Sequence, residues 1–186
     1  GWYVKLGATA LQRRVLTNDG VSGIKDGTGF DYSTLYDSLK GASYQYFLHS
    51  EMAKFIPIGK NLTLKFGYNG AYIATPKLFQ NELFQIGGFK LMRGFDEQSI
   101  FANQYHLFST ELRILLSQIS YAYLFSDNAW VQTKFNNYNR EGVYNGFGLG
   151  TILQTKTGLF SIALAFGRSE YNPLKFRESK ILFGYV

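Results

Sequence analysis

From residue 61 to residue 73 the chain alternates apolar and polar side chains with a period of two, a pattern that suits a β-strand with two unlike faces and no helix. Leu62, Leu64, Phe66, Tyr68 and Tyr72 fall on one side, and Thr63, Lys65, Gly67 and Asn69 on the other. The pattern recurs over residues 44–52, where Tyr44, Tyr46, Leu48 and Met52 oppose Gln45, His49 and Glu51. It returns near the end, with Phe160, Ile162, Leu164 and Phe166 opposing Ser161, Ala163, Ala165 and Gly167. A composition of 14 Tyr, 17 Phe and 20 Gly points the same way, because aromatics fit a pleated surface and glycine supplies turns. The expected class is all-β and antiparallel.

Eight strands are expected, over residues 1–16, 42–56, 61–74, 103–116, 119–135, 142–154, 159–168 and 176–186. Their connections alternate in length. Residues 17–41 and 75–102 are long, while 57–60 and 117–118 are short; 136–141, 155–158 and 169–175 continue the alternation more mildly. Membrane barrels have this asymmetry, with short periplasmic turns and long extracellular loops. A soluble barrel or sandwich has the same periodicity with its apolar face turned inward. Three features favour the membrane: the loop asymmetry, aromatics near strand ends (Trp2, Tyr44, Tyr72, Trp130, Tyr185), and polar faces too rich in charge to fill a dry core. A mean hydropathy of −0.12 and the lack of any apolar run near 18 residues exclude a transmembrane helix. Neither excludes a barrel, whose alternating strands average to neutral.

The loop before the fourth of these strands contains Ile86-Gly87-Gly88-Phe89-Lys90-Leu91-Met92-Arg93-Gly94-Phe95. This resembles the Gly-Gly and Arg-Gly-aromatic signature of the BamA-like outer-membrane assembly and secretion superfamily, which includes TamA and the two-partner secretion translocators. Two further elements match in place: Glu111-Leu112-Arg113 on the next strand and Phe125-Ser126-Asp127, similar to the family's Phe-x-Asp element, on the one after. The match covers the chain well from about Phe84 onward; the first three strands match only in pattern. The resemblance implies that residues 1–186 are the C-terminal eight strands of a transmembrane barrel of about sixteen, with loop 75–102 folding back into the lumen. It further implies that Arg93, Gly94 and Phe95 sit inside, that Arg93 faces Asp127 and Glu111, and that Phe125 supports them. An inward-folded charge needs such partners on physical grounds as well, and the planar fork of arginine suits carboxylates.

The last strand, Lys180-Ile181-Leu182-Phe183-Gly184-Tyr185-Val186, resembles the C-terminal recognition signal of outer-membrane barrels, with Phe183 and Tyr185 as the recognition aromatics. It departs from the family by ending on Val186 where an aromatic is usual. The resemblance makes this strand one side of a laterally opening seam, with Gly184 its most flexible point. Gly1 leads straight into Trp2-Tyr3-Val4, as in the middle of a strand, and predicts sequence upstream.

The implied function is insertion or secretion of polypeptide in the outer membrane of a Gram-negative bacterium. The implied partners are outer-membrane lipid and lipopolysaccharide, unfolded outer-membrane or secreted polypeptides, and periplasmic or lipoprotein accessory subunits. Two rivals share the strand pattern: a passive barrel, either porin or anchor, and the membrane anchor of a fused patatin-like phospholipase. No enzymatic motif, cofactor loop or metal-ligand spacing is present, so neither a catalytic residue nor a cofactor or metal is expected. Gly146, Gly148 and Gly150 alternate along a strand and read as a smooth wall, not a dinucleotide fingerprint. Absence of cysteine excludes thiolate metal sites. His49 and His106 are expected in the lumen or loops. The net charge of +6 comes from scattered Lys and Arg without a basic run, which suits solubility and predicts no nucleic-acid partner.

Overall fold

A computed structural model describes residues 1–24, 27, 29–39, 41–170 and 172–185. Eight long strands form one antiparallel sheet in chain order: β1 (Trp2–Arg14), β2 (Ala42–Pro57), β3 (Leu62–Ala74), β6 (Gln104–Leu115), β7 (Tyr121–Phe135), β8 (Tyr138–Gln154), β9 (Leu159–Ser169) and β10 (Lys180–Tyr185). Two three-residue strands, β4 (Phe84–Ile86) and β5 (Ile100–Ala102), pair with each other as the stem of the arm formed by residues 75–102. The sheet is open, with β1 and β10 as its edges.

The register gives the alternating pattern its meaning. Leu64, Leu112, Leu124, Leu149, Leu164 and Ile181 stand opposite one another in a single row across six strands. All share one face, and it is bare: Leu124 is 56% and Leu149 53% exposed, against 5% for Phe125 on the other side. The opposite face is covered by the arm, which reaches every one of the eight strands. Ile86, Met92 and Ile100 of the arm pack on Ala71, Tyr105, Leu107, Ala129 and Val131. Burying side chains such as Ile86 and Met92 contributes about 1.5–3 kcal/mol each. The core therefore lies between arm and sheet, and the larger apolar surface lies outside it.

Three expectations change. Residues 136–141 are not a loop: β7 and β8 are joined by Asn136 and Asn137 alone, and Tyr138 to Glu141 continue the ladder. Asn136 takes a left-handed φ of 49°, the Phe135 and Tyr138 rings pack in a tilted pair at 5.2 Å, and Gln132 donates to Glu141, so the hairpin closes tightly. The long-short alternation of connections therefore fails at this hairpin. The last strand starts at Lys180, because Phe176–Glu178 form a single 3-10 turn with Glu178 N–H donating to the Lys175 carbonyl. His106 shares parity with Gln104 and Phe108 and lies on the bare face, not in a lumen or loop; His49 is on the covered face, its ring over Gly7. Val186 is outside the described residues.

The β7–β8 turn gives the first test. Only residues tolerant of positive φ suit position 136, so Asn136→Gly is expected to leave stability nearly unchanged. Asn136→Val should cost about 1–2 kcal/mol, the penalty of a left-handed β-branched residue. Urea unfolding measures both, and equal midpoints for the two variants would refute the turn.

Candidate functional site

The tip of the arm places one arginine among groups from three strands. Gly87 and Gly88, with φ of 119° and 97°, turn the chain out of β4, and the space a Gly88 side chain would need is held by the Glu97 carboxylate, which accepts from Phe89 N–H. Met92 follows in a left-handed conformation (φ 64°) and is fully buried. Such a backbone costs about 1–3 kcal/mol and persists only where surroundings fix it. Here it turns the Arg93 amide toward Asp127, at 3.2 Å from Oδ2.

Arg93 then binds Asp127 in a fork, Nε to Oδ2 at 2.8 Å and Nη2 to Oδ1 at 2.7 Å. Its remaining nitrogen, Nη1, donates to Glu111 Oε1 at 2.9 Å. Glu111 is further held by Arg113 (Nη2 to Oε2, 2.6 Å) and more loosely by Lys65 (3.5 Å). Arg93, Glu111 and Asp127 are 8%, 5% and 1% exposed, so partners replace nearly all the water these charges would have. The guanidinium also lies 3.8 Å above the Phe125 ring, a cation–π contact, while Arg113 lies over Tyr121 at 4.4 Å.

Glycines of the sheet make this geometry possible. Phe125 stands opposite Gly148 and Tyr123 opposite Gly150, and each ring occupies the space where a glycine Cβ would be. Gly148 thus lets Phe125 lie flat as the platform for Arg93. Gly146 and Gly167, paired across β8 and β9, leave bare backbone on which the arm lands: a Cβ on Gly146 would meet the Arg93 carbonyl, and one on Gly167 the Gly94 carbonyl. Gly94, with φ 98°, has its own Cα against the Phe166 carbonyl, and Phe95 continues onto Tyr144 edge-on at 5.5 Å. The glycine run that reads as a featureless wall is a set of fitted contacts.

The other end of the arm has a second clasp, invisible at the sequence level. Glu82 accepts from Arg13 of β1 (2.6 Å), Gln45 of β2 (2.7 Å) and Phe79 N–H (2.9 Å), while Arg13 also donates to the Lys77 carbonyl at 2.8 Å. Only the Phe79-x-x-Glu82 spacing, where a carboxylate can reach back to an amide, hinted at it. On the return, Asp96 pairs with Lys180 of β10 at 2.7 Å. Phe89 packs beside Gly184, whose φ is unexceptional and whose missing side chain makes room for Ser161 Oγ; Ser161 donates to the Gly184 carbonyl at 3.0 Å. Phe183 and Tyr185 stand exposed on the bare face.

An antiparallel sheet with one bare apolar face and one charged face covered by a folded-back arm has the two-faced make-up of an outer-membrane β-barrel wall. The Omp85 superfamily domain matches residues 19–183, and the chain belongs to that superfamily, whose members are outer-membrane proteins. No curated protein and no solved structure matches it.

Removing Arg93 strands the buried Asp127 carboxylate, while Glu111 keeps Arg113 and Lys65, so Arg93→Ala is expected to cost about 3–5 kcal/mol, and Asp127→Ala, which removes the guanidinium's main partner, a similar amount. The double variant should lose little more than either single one, because both break the same contact. Arg93→Lys should rescue poorly, since an ammonium cannot make the fork and reach Glu111 together. Urea midpoints of the four variants and the unmodified protein test this; additive losses would contradict the pairing.

The Glu82 clasp predicts a pH effect of definite sign. Burial pushes its pKa up, but the Phe79 amide, Arg13 and Gln45 together outweigh it and leave the carboxyl below its ordinary value of 4.5. A depressed folded pKa means stability that is full above that ordinary value and lost as pH falls through the folded one. The unfolding midpoint should therefore drop on acidification below about pH 4.5, and part of that drop should vanish in Glu82→Gln.

Proposed function

We propose that this chain is the C-terminal half of a laterally opening barrel of about sixteen strands in the outer membrane of a Gram-negative bacterium, which inserts or exports polypeptide. The observation that carries this reading is Arg93, held on an arm of an Omp85 superfamily domain between carboxylates of two adjacent strands. A docked arm that fills the interior is costly for a passive pore, whose function needs a clear lumen. It suits a device whose interior is occupied at rest and rearranged during transport.

In this reading the bare face meets lipid and the covered face the lumen. The β10 edge, with Phe183 and Tyr185 toward lipid, forms one side of the seam. Exposed N–H and C=O groups along such an edge can template an incoming strand by backbone hydrogen bonding. The substrates are unfolded outer-membrane or secreted polypeptides, delivered with periplasmic or lipoprotein accessory subunits, and the step needs neither nucleotide nor metal.

Two measurements on the intact protein test the reading together. In whole membranes, a water-soluble thiol reagent should label Lys65→Cys far faster than Phe66→Cys; equal rates would reject the orientation. Arg93→Ala should then reduce substrate delivery while heat-modifiable gel migration still shows a folded barrel. Undiminished delivery by that variant would leave the arm a structural plug only.

A further inference from the structure

The bare face is not uniformly bulky. Where the strand row Leu6, Ser50, Gly70, His106 crosses the sheet, two small residues sit side by side and the surface dips. The resulting groove, about 540 Å³, is walled by Leu6, Ala8, Leu48 and Tyr72. One polar atom in it is unanswered: Ser50 Oγ has no hydrogen-bond partner among the described residues. A hydroxyl facing hydrocarbon without a partner is costly, and a ligand that supplies an acceptor removes that cost.

The groove does not end in apolar surface. Toward the arm end of the strands, Tyr72 also lines a second cavity of about 390 Å³, with Asn103, Gln104, Gln132, Lys134 and Asn136 around it. Groove and cavity are also joined by hydrogen bonds, since Tyr68 Oη meets His106 Nδ1 at 2.7 Å and His106 Nε2 meets Gln104 Nε2 at 3.0 Å. The cavity has the chemistry of a sugar site, with carboxamides beside aromatic rings. Lys134 adds a cation, and its ammonium has no carboxylate partner among the described residues. Glu141, opposite Gln132 in the register, accepts from that amide at 3.0 Å.

We infer that groove and cavity together form a binding site for an anionic glycolipid of the outer leaflet. An acyl chain lies along Leu6, Ala8, Leu48 and Gly70, with an oxygen of the lipid accepting from Ser50. The sugar head rests against Tyr72, Gln104 and Gln132, and its phosphate faces Lys134. The order of parts fits one occupant: apolar below, polar and cationic above, along the direction of the strands. A phospholipid would fill the groove and leave the amide-lined cavity unused. This inference rests on the lipid-facing orientation proposed above.

Native mass spectrometry of the intact protein in detergent, titrated with diphosphoryl lipid A or with phosphatidylglycerol, tests it. Lipid A is expected to be retained and phosphatidylglycerol lost. Lys134→Gln should weaken lipid A retention by about tenfold, the loss of one charge-assisted contact. Ala8→Phe combined with Ser50→Phe should abolish it by filling the groove. Phe147→Ala, on the same face but distant, should retain lipid A normally and controls for a general loss of lipid affinity. Retention of lipid A by the filled groove, or equal retention of both lipids by the unmodified protein, would overturn the inference. Such a result with Lys65→Cys still labelled faster than Phe66→Cys would remove the glycolipid site alone; reversed labelling would remove the orientation beneath it.

Discussion

A guanidinium leaves water only where carboxylates take the water's place, and at Arg93 that demand organises the whole covered face. One carboxylate comes from β6 and another from β7, so the arm tip can dock in a single position relative to the sheet. The demand then spreads outward. Asp127 is held to the arm by three contacts, and Glu111 is saturated by Arg93, Arg113 and Lys65, so no charge in the cluster is left to find a different partner. Three cations surround two carboxylates here, which keeps the cluster charged but balanced to within one unit.

Such a cluster forms only if the backbone comes close enough, and the glycines settle that distance. Gly146 and Gly167 let the arm's carbonyls rest on strand backbone, and Gly148 lets a phenyl ring lie flat beneath the guanidinium. A larger residue at any of these positions would lift Arg93 away from Asp127 by more than a hydrogen bond tolerates. The positive φ values at Met92 and Gly94 belong to the same set of constraints. They are sustained by burial and by the ion cluster, not by local preference.

The arm is fastened at three places to three parts of the sheet: Glu82 to β1 and β2, Arg93 to β6 and β7, and Asp96 to β10. These fastenings differ in character. Arg93 is dry and its loss strands buried charge, whereas Asp96 is largely exposed and its pair with Lys180 is worth about 1 kcal/mol or less. The ion pair with the last strand is thus the weakest of the three, and Phe89 packed beside Gly184 adds an apolar contact between arm and β10.

Alternation in the sequence determined the strands and the division of each into an apolar and a polar side, because a side chain's face follows from its parity alone. The Arg93 motif and its two acidic counterparts were legible through resemblance, each on an element the alternation had already located. Tertiary structure decided the rest. It drew Arg113 and Lys65 into the cluster, since cross-strand register is not written in any one strand. It turned a glycine run into a landing surface, because the use of a missing side chain depends on what approaches it. It brought Arg13 to Glu82, and it closed residues 136–141 into a tight hairpin where their polarity had suggested a loop. The groove at Ser50 and Gly70 is of the same kind: two strands set a small residue each side by side, and only their register makes the dip.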